Sequence, residues 1–187
     1  MKVLAKLLMV AACVFGISTA AVSGETTYES TVARWTSYND VADWLRSNFR
    51  FDHGRLSSVL QNTRQKGPFG LLARTAEGTF QRKSGYCTDA AAFAIQALNQ
   101  INPDYKAKYI FINNRFGQPH HWVAGFIVDG KIMVIDSGAS AEWGGMNGLH
   151  GPYDSLDQYR DFLKSLHLPK LGVDWVEWRS EFPGERD

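Results

Sequence analysis

The chain has 187 residues, of which 44% are hydrophobic and 21% are charged. This composition is enough for one domain of ordinary size with an apolar core, and it excludes an intrinsically disordered chain. Lys and Arg together number 20 and Asp and Glu number 19, for a formal net charge of +1. Charge therefore gives no reason to expect nucleic acid or an anionic membrane as a partner.

The N-terminus has the pattern of a secretory signal peptide. Two lysines lie within residues 1–6, residues 7–18 are almost wholly apolar, and small residues follow at 18–23. The apolar run is shorter than the ~20 residues that a transmembrane helix needs. We predict cleavage near residues 20–23, a single mature domain over residues 24–187, and a secreted or periplasmic location without stable membrane insertion.

Cleavage at this point would leave one cysteine in the mature chain. Cys13 would be removed and Cys87 would remain. Exported proteins usually carry cysteines in disulfide-bonded pairs, so a single thiol is either a small buried side chain or a reactive group. The histidines lack the paired spacing of a structural zinc site, so we predict no metal.

The first third of the chain predicts helices. Asn39 or Asp40 is placed to cap a helix that runs to about Phe49, with apolar residues recurring on one face. A short helix is predicted over residues 56–62, before the Gly-Pro breaker at 67–68.

The best-defined helix begins close to Cys87. Ser84 is predicted to cap it, and the Asn-Pro pair at residues 102–103 ends it. Cys87 would then lie in the first turn, where unpaired N–H groups and the helix dipole favour a thiolate. Asp89 in the same turn fits either simple compensation of the dipole or support of a site.

The second half of the chain predicts mostly strands, over residues 108–112, 121–128, 131–136 and 173–179. Asp129-Gly130 lies between two apolar runs and predicts a tight hairpin turn. Residues 137–152 contain five glycines and predict a long loop, and Ser155 or Asp157 is placed to start a last helix. Helices followed by an antiparallel meander predict an α+β domain.

The hairpin brings a histidine and a carboxylate together. With a two-residue turn, Val123 lies opposite Asp136, and His121 points to the same face as Asp136 at a diagonal distance of roughly 7–8 Å. A three- or five-residue turn would reverse the parity and bring His120 to that face instead. We favour His121 and keep His120 as the alternative base.

These residues form a candidate catalytic set. Cys87 is the nucleophile, His121 its base, and Asp136 the group that orients the base. Gln81, six residues before Cys87, is a candidate amide donor to an oxyanion, and it also fits a solvated loop glutamine. Trp143 in the glycine-rich loop is a candidate for lining a substrate groove.

The segment from Gly85 to Ala91, GYCTDAA, followed by an apolar helix, resembles the nucleophile segment of the transglutaminase-like superfamily within the papain-like group. The residues from His120 to Asp136 resemble its His and Asp hairpin, so the resemblance covers residues 84–138. It implies a papain-like core with the nucleophile helix packed on an antiparallel β-sheet. It also implies a Cys-His-Asp triad that transfers acyl groups through a thioester.

Two groups of enzymes that this chain resembles differ in which histidine aligns as the catalytic base. In animal-type transglutaminases the histidine precedes Ala-Trp-Val, which aligns with His120. In bacterial transglutaminase-like cysteine proteinases and in arylamine N-acetyltransferases the His-to-Asp spacing is similar to that of His121 and Asp136, in agreement with the hairpin. Gln81 matches the oxyanion glutamine of papain-like enzymes in spacing. The chain is short for an arylamine acetyltransferase and lacks a calcium-site pattern, so neither acetyl-CoA nor calcium is implied as a cofactor.

Together these features predict an exported cysteine hydrolase or acyltransferase that acts on an amide bond, with a peptidase or amidase favoured. The expected substrate is a protein or peptide, including cell-wall peptide. The alternative is a binding or assembly module that keeps the transglutaminase-like scaffold without turnover.

Overall fold

The computed structural model describes residues 26–186, so the predicted signal peptide at residues 1–23 lies outside the described part. The α-helices are α1 (Tyr28–Val32), α2 (Tyr38–Asn48), α3 (Leu56–Lys66), α4 (Ala76–Arg82), α5 (Cys87–Ile101) and α6 (Leu156–Ser165). The strands are β1 (Arg50–Phe51), β2 (Leu72–Ala73), β3 (Ser84–Gly85), β4 (Lys108–Asn114), β5 (His121–Val128), β6 (Lys131–Asp136), β7 (Gly148–Tyr153), β8 (Val173–Arg179) and β9 (Glu185–Arg186). No helix among residues 26–186 has the length and apolar character needed to cross a membrane.

The main sheet has five antiparallel strands in the order β7-β6-β5-β4-β8. Val128 pairs with Lys131 and Ala124 with Ile135, so the predicted two-residue turn is confirmed. Asp129 and Gly130 both have positive φ, at 49° and 75°. Such a turn matches the twist of the strands, and Asp and Gly tolerate it.

Helix α5 packs against one face of this sheet. Its buried side includes Phe93, Ala94 and Leu98, which share a core cluster with Ala124 and Phe126 of β5. The alanines let the helix lie close to the sheet, which fixes the position of its first turn.

The opposite face of the sheet is covered by α6. Ile110, Val123 and Val134 point to this side and cluster with Tyr159 and Leu163 of the helix. Alternate strand residues thus enter two different cores, as the pleat requires. The chain is an α+β fold with the Cys87 helix on an antiparallel sheet, as predicted.

Two predicted helix starts are wrong by a few residues. Ser37, not Asn39 or Asp40, caps α2, and the Asp40 carboxylate accepts from the Ser37 N–H at 2.9 Å. Asp40 is thus the return partner of a capping box. Tyr86, not Ser84, caps α5, because Ser84 is in the short strand β3, paired with Arg50 of β1.

The glycine-rich segment at residues 137–152 is more regular than predicted. It contains a 3₁₀ helix at Ala141–Met146 and the edge strand β7. Glycine and proline are poor strand formers, so the sequence of β7 carries no strand signal, and its pairing with β6 determines its conformation. Helix α3 also continues to Lys66, beyond the predicted residue 62.

Candidate active site

Cys87 is the first residue of α5 and is half-buried. The cap residue before it, Tyr86, has extended backbone, and its N–H donates to the Asp89 carboxylate at 2.7 Å. Asp89 therefore fixes the backbone at the first turn of α5, from which the Cys87 side chain extends.

His121 and Asp136 lie at the open end of the β5–β6 hairpin. The two side chains are 2% and 0% exposed, and His121 Nε2 is 2.8 Å from Asp136 Oδ1. With a carboxylate at Nε2, that nitrogen carries the proton. Cys87 and His121 line the same cavity, and the interaction between the two side chains also raises the pKa of His121. The structure thus brings Cys87, His121 and Asp136 together in that order.

The two partners of His121 change its protonation. Burial by itself would lower the pKa of His121, because a dry environment disfavours the imidazolium. The neighbouring Asp136, and after it Cys87, outweigh burial and raise the pKa of His121 to about 10. With a pKa of about 10, His121 is an imidazolium at neutral pH.

His120 has a different environment. Its Nδ1 accepts a hydrogen bond from the Asn114 N–H at 3.1 Å, and its ring packs edge-on against Phe111. Burial lowers the pKa of His120, so the imidazole is neutral with its proton on Nε2. Asp136 pairs with His121 and not with His120, in agreement with the parity of the two-residue turn.

Gln81 is not brought to Cys87. It is exposed on α4, and its Nε2 donates to Glu77 Oε1 at 2.6 Å, one turn back along the same helix. Helix α4 extends from Ala76 to Arg82, so residue 81 is in a helix and not in the loop that its spacing before Cys87 indicated. The structure therefore gives no support to the oxyanion role predicted for Gln81.

Trp143 does reach the site. Its ring lies edge-on to that of His121 at 6.1 Å, and its Nε1 donates to the Pro169 carbonyl at 2.9 Å. This indole shields His121 from solvent and forms one wall of a cavity.

The cavity at this site, here called the Cys87 cavity, has a volume of about 260 Å³. One side is formed by the apolar residues of α3 and its neighbours, and the other by Cys87, His121 and Trp143. None of the described residues that line it is Lys, Arg, Asp or Glu. The Cys87 thiol thus faces a pocket suited to an uncharged, apolar group.

A buried charge network that sequence reasoning did not predict supports the start of α5. The fully buried Asp89 accepts two hydrogen bonds from Arg55 Nη1, at 2.8 and 3.0 Å, and one from the Arg74 N–H at 2.6 Å. Arg74 also donates to Asp52 Oδ2 at 2.8 Å. Arg55 lies 34 residues from Asp89 and Arg74 15 residues from it, so no local motif joins them.

Two glycines permit close packing around Cys87. A side chain at Gly85 would overlap the Asp89 carboxylate, and one at Gly138 would lie 2.7 Å from the Cys87 nitrogen. Gly138 follows β6 and also has φ +80°. The loop after Asp136 therefore touches the Tyr86–Cys87 peptide, which links the hairpin directly to the helix start.

A family model described as a transglutaminase-like domain matches residues 19–141, a range that includes Cys87, His121 and Asp136. The chain belongs to the transglutaminase-like family. Among solved structures, a crystal structure of a TGase is similar at 14% identity and a TM-score of 0.36, covering 67% of this chain and 32% of that one. This chain thus spans about a third of that protein's length. A search of curated proteins finds no match.

The part of the chain that the structure describes contains no cluster of side chains suited to bind a metal ion. Among residues 26–186, no group of three or more His, Cys, Asp or Glu side chains is placed to hold an ion.

Proposed function

We propose that this transglutaminase-like chain is an exported cysteine hydrolase or acyltransferase that acts on amide bonds, with a peptidase or amidase favoured. The observation that carries the proposal is the position of buried His121, which is paired with Asp136 at 2.8 Å and lines one cavity with Cys87. Thiol, imidazole and carboxylate in this order form the arrangement that activates a cysteine for covalent catalysis.

In the first half of the proposed reaction, the Cys87 thiolate attacks the amide carbonyl carbon. A carbon–sulfur bond forms, and the carbonyl π electrons move to oxygen. The free N–H groups in the first turn of α5 donate to this oxyanion. When the oxyanion collapses, the carbon–nitrogen bond breaks, and the leaving amine takes its proton from the His121 imidazolium. The product is a thioester on Cys87 with His121 neutral.

In the second half, the neutral His121 removes a proton from the acceptor. With water as the acceptor, the hydroxyl oxygen attacks the thioester, the Cys87 thiolate leaves, and His121 is again an imidazolium. One amide and one water thus give one carboxylic acid and one amine. An amine acceptor would complete a transamidation by the same steps.

Reactivity of the thiol tests the proposal. In the wild-type protein, the rate of Cys87 alkylation by iodoacetamide should change little between pH 6 and pH 8. An ordinary thiol with a pKa of about 8.5 would instead react tenfold more slowly for each pH unit below that value. His121→Ala should restore this ordinary dependence, whereas the neighbouring variant His120→Ala should keep the wild-type profile.

The rival function makes the opposite prediction. A binding or assembly module has no use for an activated thiol, so Cys87 would follow the ordinary profile in all three proteins. Mass spectrometry of the protein mixed with a peptide ester adds a direct readout, because an acyl group should appear on Cys87. Absence of both the flat profile and the acyl adduct would overturn the enzyme proposal.

Export is a separate part of the proposal and rests on the N-terminal sequence pattern. N-terminal sequencing of protein recovered from the periplasm or the medium should begin near residues 21–24. Recovery of the chain with residue 1 intact would contradict export and leave the enzymatic proposal unchanged.

A further inference from the structure

A second, larger cavity adjoins the Cys87 cavity. Its volume is about 600 Å³, and it is here called the aromatic cavity. The rings that line it are Phe69, Phe111, Trp122 and Phe182. The two cavities share four lining residues, Thr63, Leu71, Gln118 and His120. They are therefore neighbouring parts of one groove.

Exposed apolar side chains concentrate along this groove. Among residues 26–186, five large apolar side chains are exposed, and three of them flank the groove. Leu56 and Leu60 line the Cys87 cavity, and Phe69 lines the aromatic cavity. Apolar surface of this kind on a soluble fold marks a place where a ligand or partner binds.

Polar groups lie where the two mainly apolar cavities meet, and Arg179 and Glu181 also line the aromatic cavity. The Gln118 side-chain oxygen accepts from the His120 N–H at 3.2 Å, and His120 Nδ1 accepts from the Asn114 N–H. These bonds leave the Gln118 amide N–H groups and His120 Nε2–H as donors, and neither has a partner among residues 26–186. Two apolar pockets with donors between them match a polypeptide, whose side chains alternate with backbone carbonyls.

We propose that the groove binds an extended polypeptide with one large apolar side chain in the Cys87 cavity and a second in the aromatic cavity. Gln118 and His120 donate to the backbone between them. This inference rests on the proposed function and specifies its substrate class. A fatty acyl chain has no carbonyls at this spacing for the two donors.

Binding can be measured without turnover. Cys87→Ala is titrated with three fluorescein-labelled probes, and their anisotropy is recorded. The first is an unstructured peptide with two large apolar residues, the second replaces both by Ser, and the third is a fatty acyl amide. The first should bind at least tenfold more tightly than the second, since each missing apolar side chain costs roughly tenfold or more. Equal affinity for the first two, or tighter binding of the acyl amide, would overturn the proposal.

A matched pair of variants locates the site. Phe69 is 67% exposed and lines the aromatic cavity, whereas Phe116 is 63% exposed and lies outside it. Phe69→Ala in the Cys87→Ala background should weaken the apolar peptide about tenfold, and Phe116→Ala should leave its affinity unchanged. Equal effects of the two variants, or none from Phe69→Ala, would contradict this groove.

The two proposals fail in different ways. If wild-type protein cleaves peptides through Cys87 but shows no preference for apolar residues, the groove proposal fails and the enzyme proposal stands. If the apolar peptide binds and Phe69→Ala weakens it while Cys87 alkylates as an ordinary thiol, the enzyme proposal fails and the groove remains as a peptide-binding site.

Discussion

The two walls of the Cys87 cavity are built differently. One wall consists of the start of α5 and the β5–β6 hairpin, where His121, Asp136 and Asp89 are buried and held by hydrogen bonds. The other wall is α3 with the turn after it, and α3 contributes no buried residue to the core. Its leucines are exposed toward the cavity.

This difference matches the two roles proposed above, with the reacting groups on the first wall and peptide binding on the second. The proposed proton transfer needs groups that are fixed to within fractions of an ångström, and the side chains of the buried wall are held by hydrogen bonds. Binding of an apolar side chain needs accessible apolar surface and tolerates motion, and the exposed wall supplies that. Substitutions on the first wall should change reactivity or stability strongly, whereas those on the second should change substrate binding alone.

The largest effect is expected from Asp136→Asn. Loss of the carboxylate charge lowers the pKa of His121 from about 10, because this charge offsets the burial of the imidazole. In the proposed reaction the imidazolium is the proton donor, so activity should be lost as the pH rises through its pKa. The alkaline limb of kcat/KM should thus lie near pH 10 in the wild type and at lower pH in the variant. A loss of roughly 10²- to 10⁴-fold in kcat is expected.

The pH dependence of the free energy of unfolding should also depend on the His121–Asp136 pair. The pKa of His121 is higher in the folded protein than the ordinary value of 6.5, so protonation of His121 stabilises the fold. This contribution is fully present below pH 6.5 and is lost as the pH rises toward 10. The difference in unfolding free energy between wild type and Asp136→Asn should therefore shrink over this range. Asp129→Asn is the control, because asparagine tolerates the positive φ of the turn. An unchanged alkaline limb in Asp136→Asn would contradict the coupling.

Asp89→Ala is expected to cause the largest loss of stability. It leaves Arg55 without its buried carboxylate, and breaking such a pair costs about 3–5 kcal/mol in the free energy of unfolding. Denaturant titration measures the loss. Asp43→Ala is the matched control, since its ion pair with Arg46 is exposed and contributes about 0–1 kcal/mol. Similar losses for both variants would show that the buried network does not hold the first wall together.

Gly138→Ala should have an intermediate effect that extends to reactivity. The added Cβ would overlap the Tyr86–Cys87 peptide, and the alanine would also have to adopt φ +80°. Gly130→Ala is the matched control, with φ +75° and open space around it. Both should lose about 1–2 kcal/mol to backbone strain, but only Gly138→Ala should also slow Cys87 alkylation. Equal alkylation rates would mean that this loop does not position the thiol.

The smallest stability effect is expected at α3. Leu60→Ala should change the free energy of unfolding by less than about 0.5 kcal/mol, because the side chain is exposed. The same variant should bind the apolar peptide more weakly. A loss of more than about 2 kcal/mol would place Leu60 in the core and remove the contrast between the walls.

Local sequence signals predicted the hairpin wall well. Asp129-Gly130 between two apolar runs determines the register of β5 and β6, and the register selects His121 over His120 as the partner of Asp136. The start of α5 was predicted within a few residues, because an alanine-rich stripe has a clear helical period. Such signals depend on residues close together in the chain.

Features that depend on distant residues were missed. The association of Asp89 with Arg55 and Arg74 depends on how three separate segments pack, so Asp89 looked like an ordinary first-turn acid. Gln81 has the sequence spacing of an oxyanion donor, but the helical conformation of α4 directs its amide to Glu77. The aromatic cavity joins residues from four stretches of the chain, around 63–71, 111, 118–122 and 179–183, and no single stretch indicates it.

The place of His121 and Asp136 at the open end of the hairpin limits which changes in length the chain can accept. One extra residue in β5 or β6 alone would move every later side chain to the other face and separate the imidazole from the carboxylate. Residues added in equal number to both strands beside the turn would lengthen the hairpin and keep the two side chains opposed. The turn at Asp129-Gly130 is therefore the natural point for grafting a loop or a fused domain into this protein without disturbing its thiol.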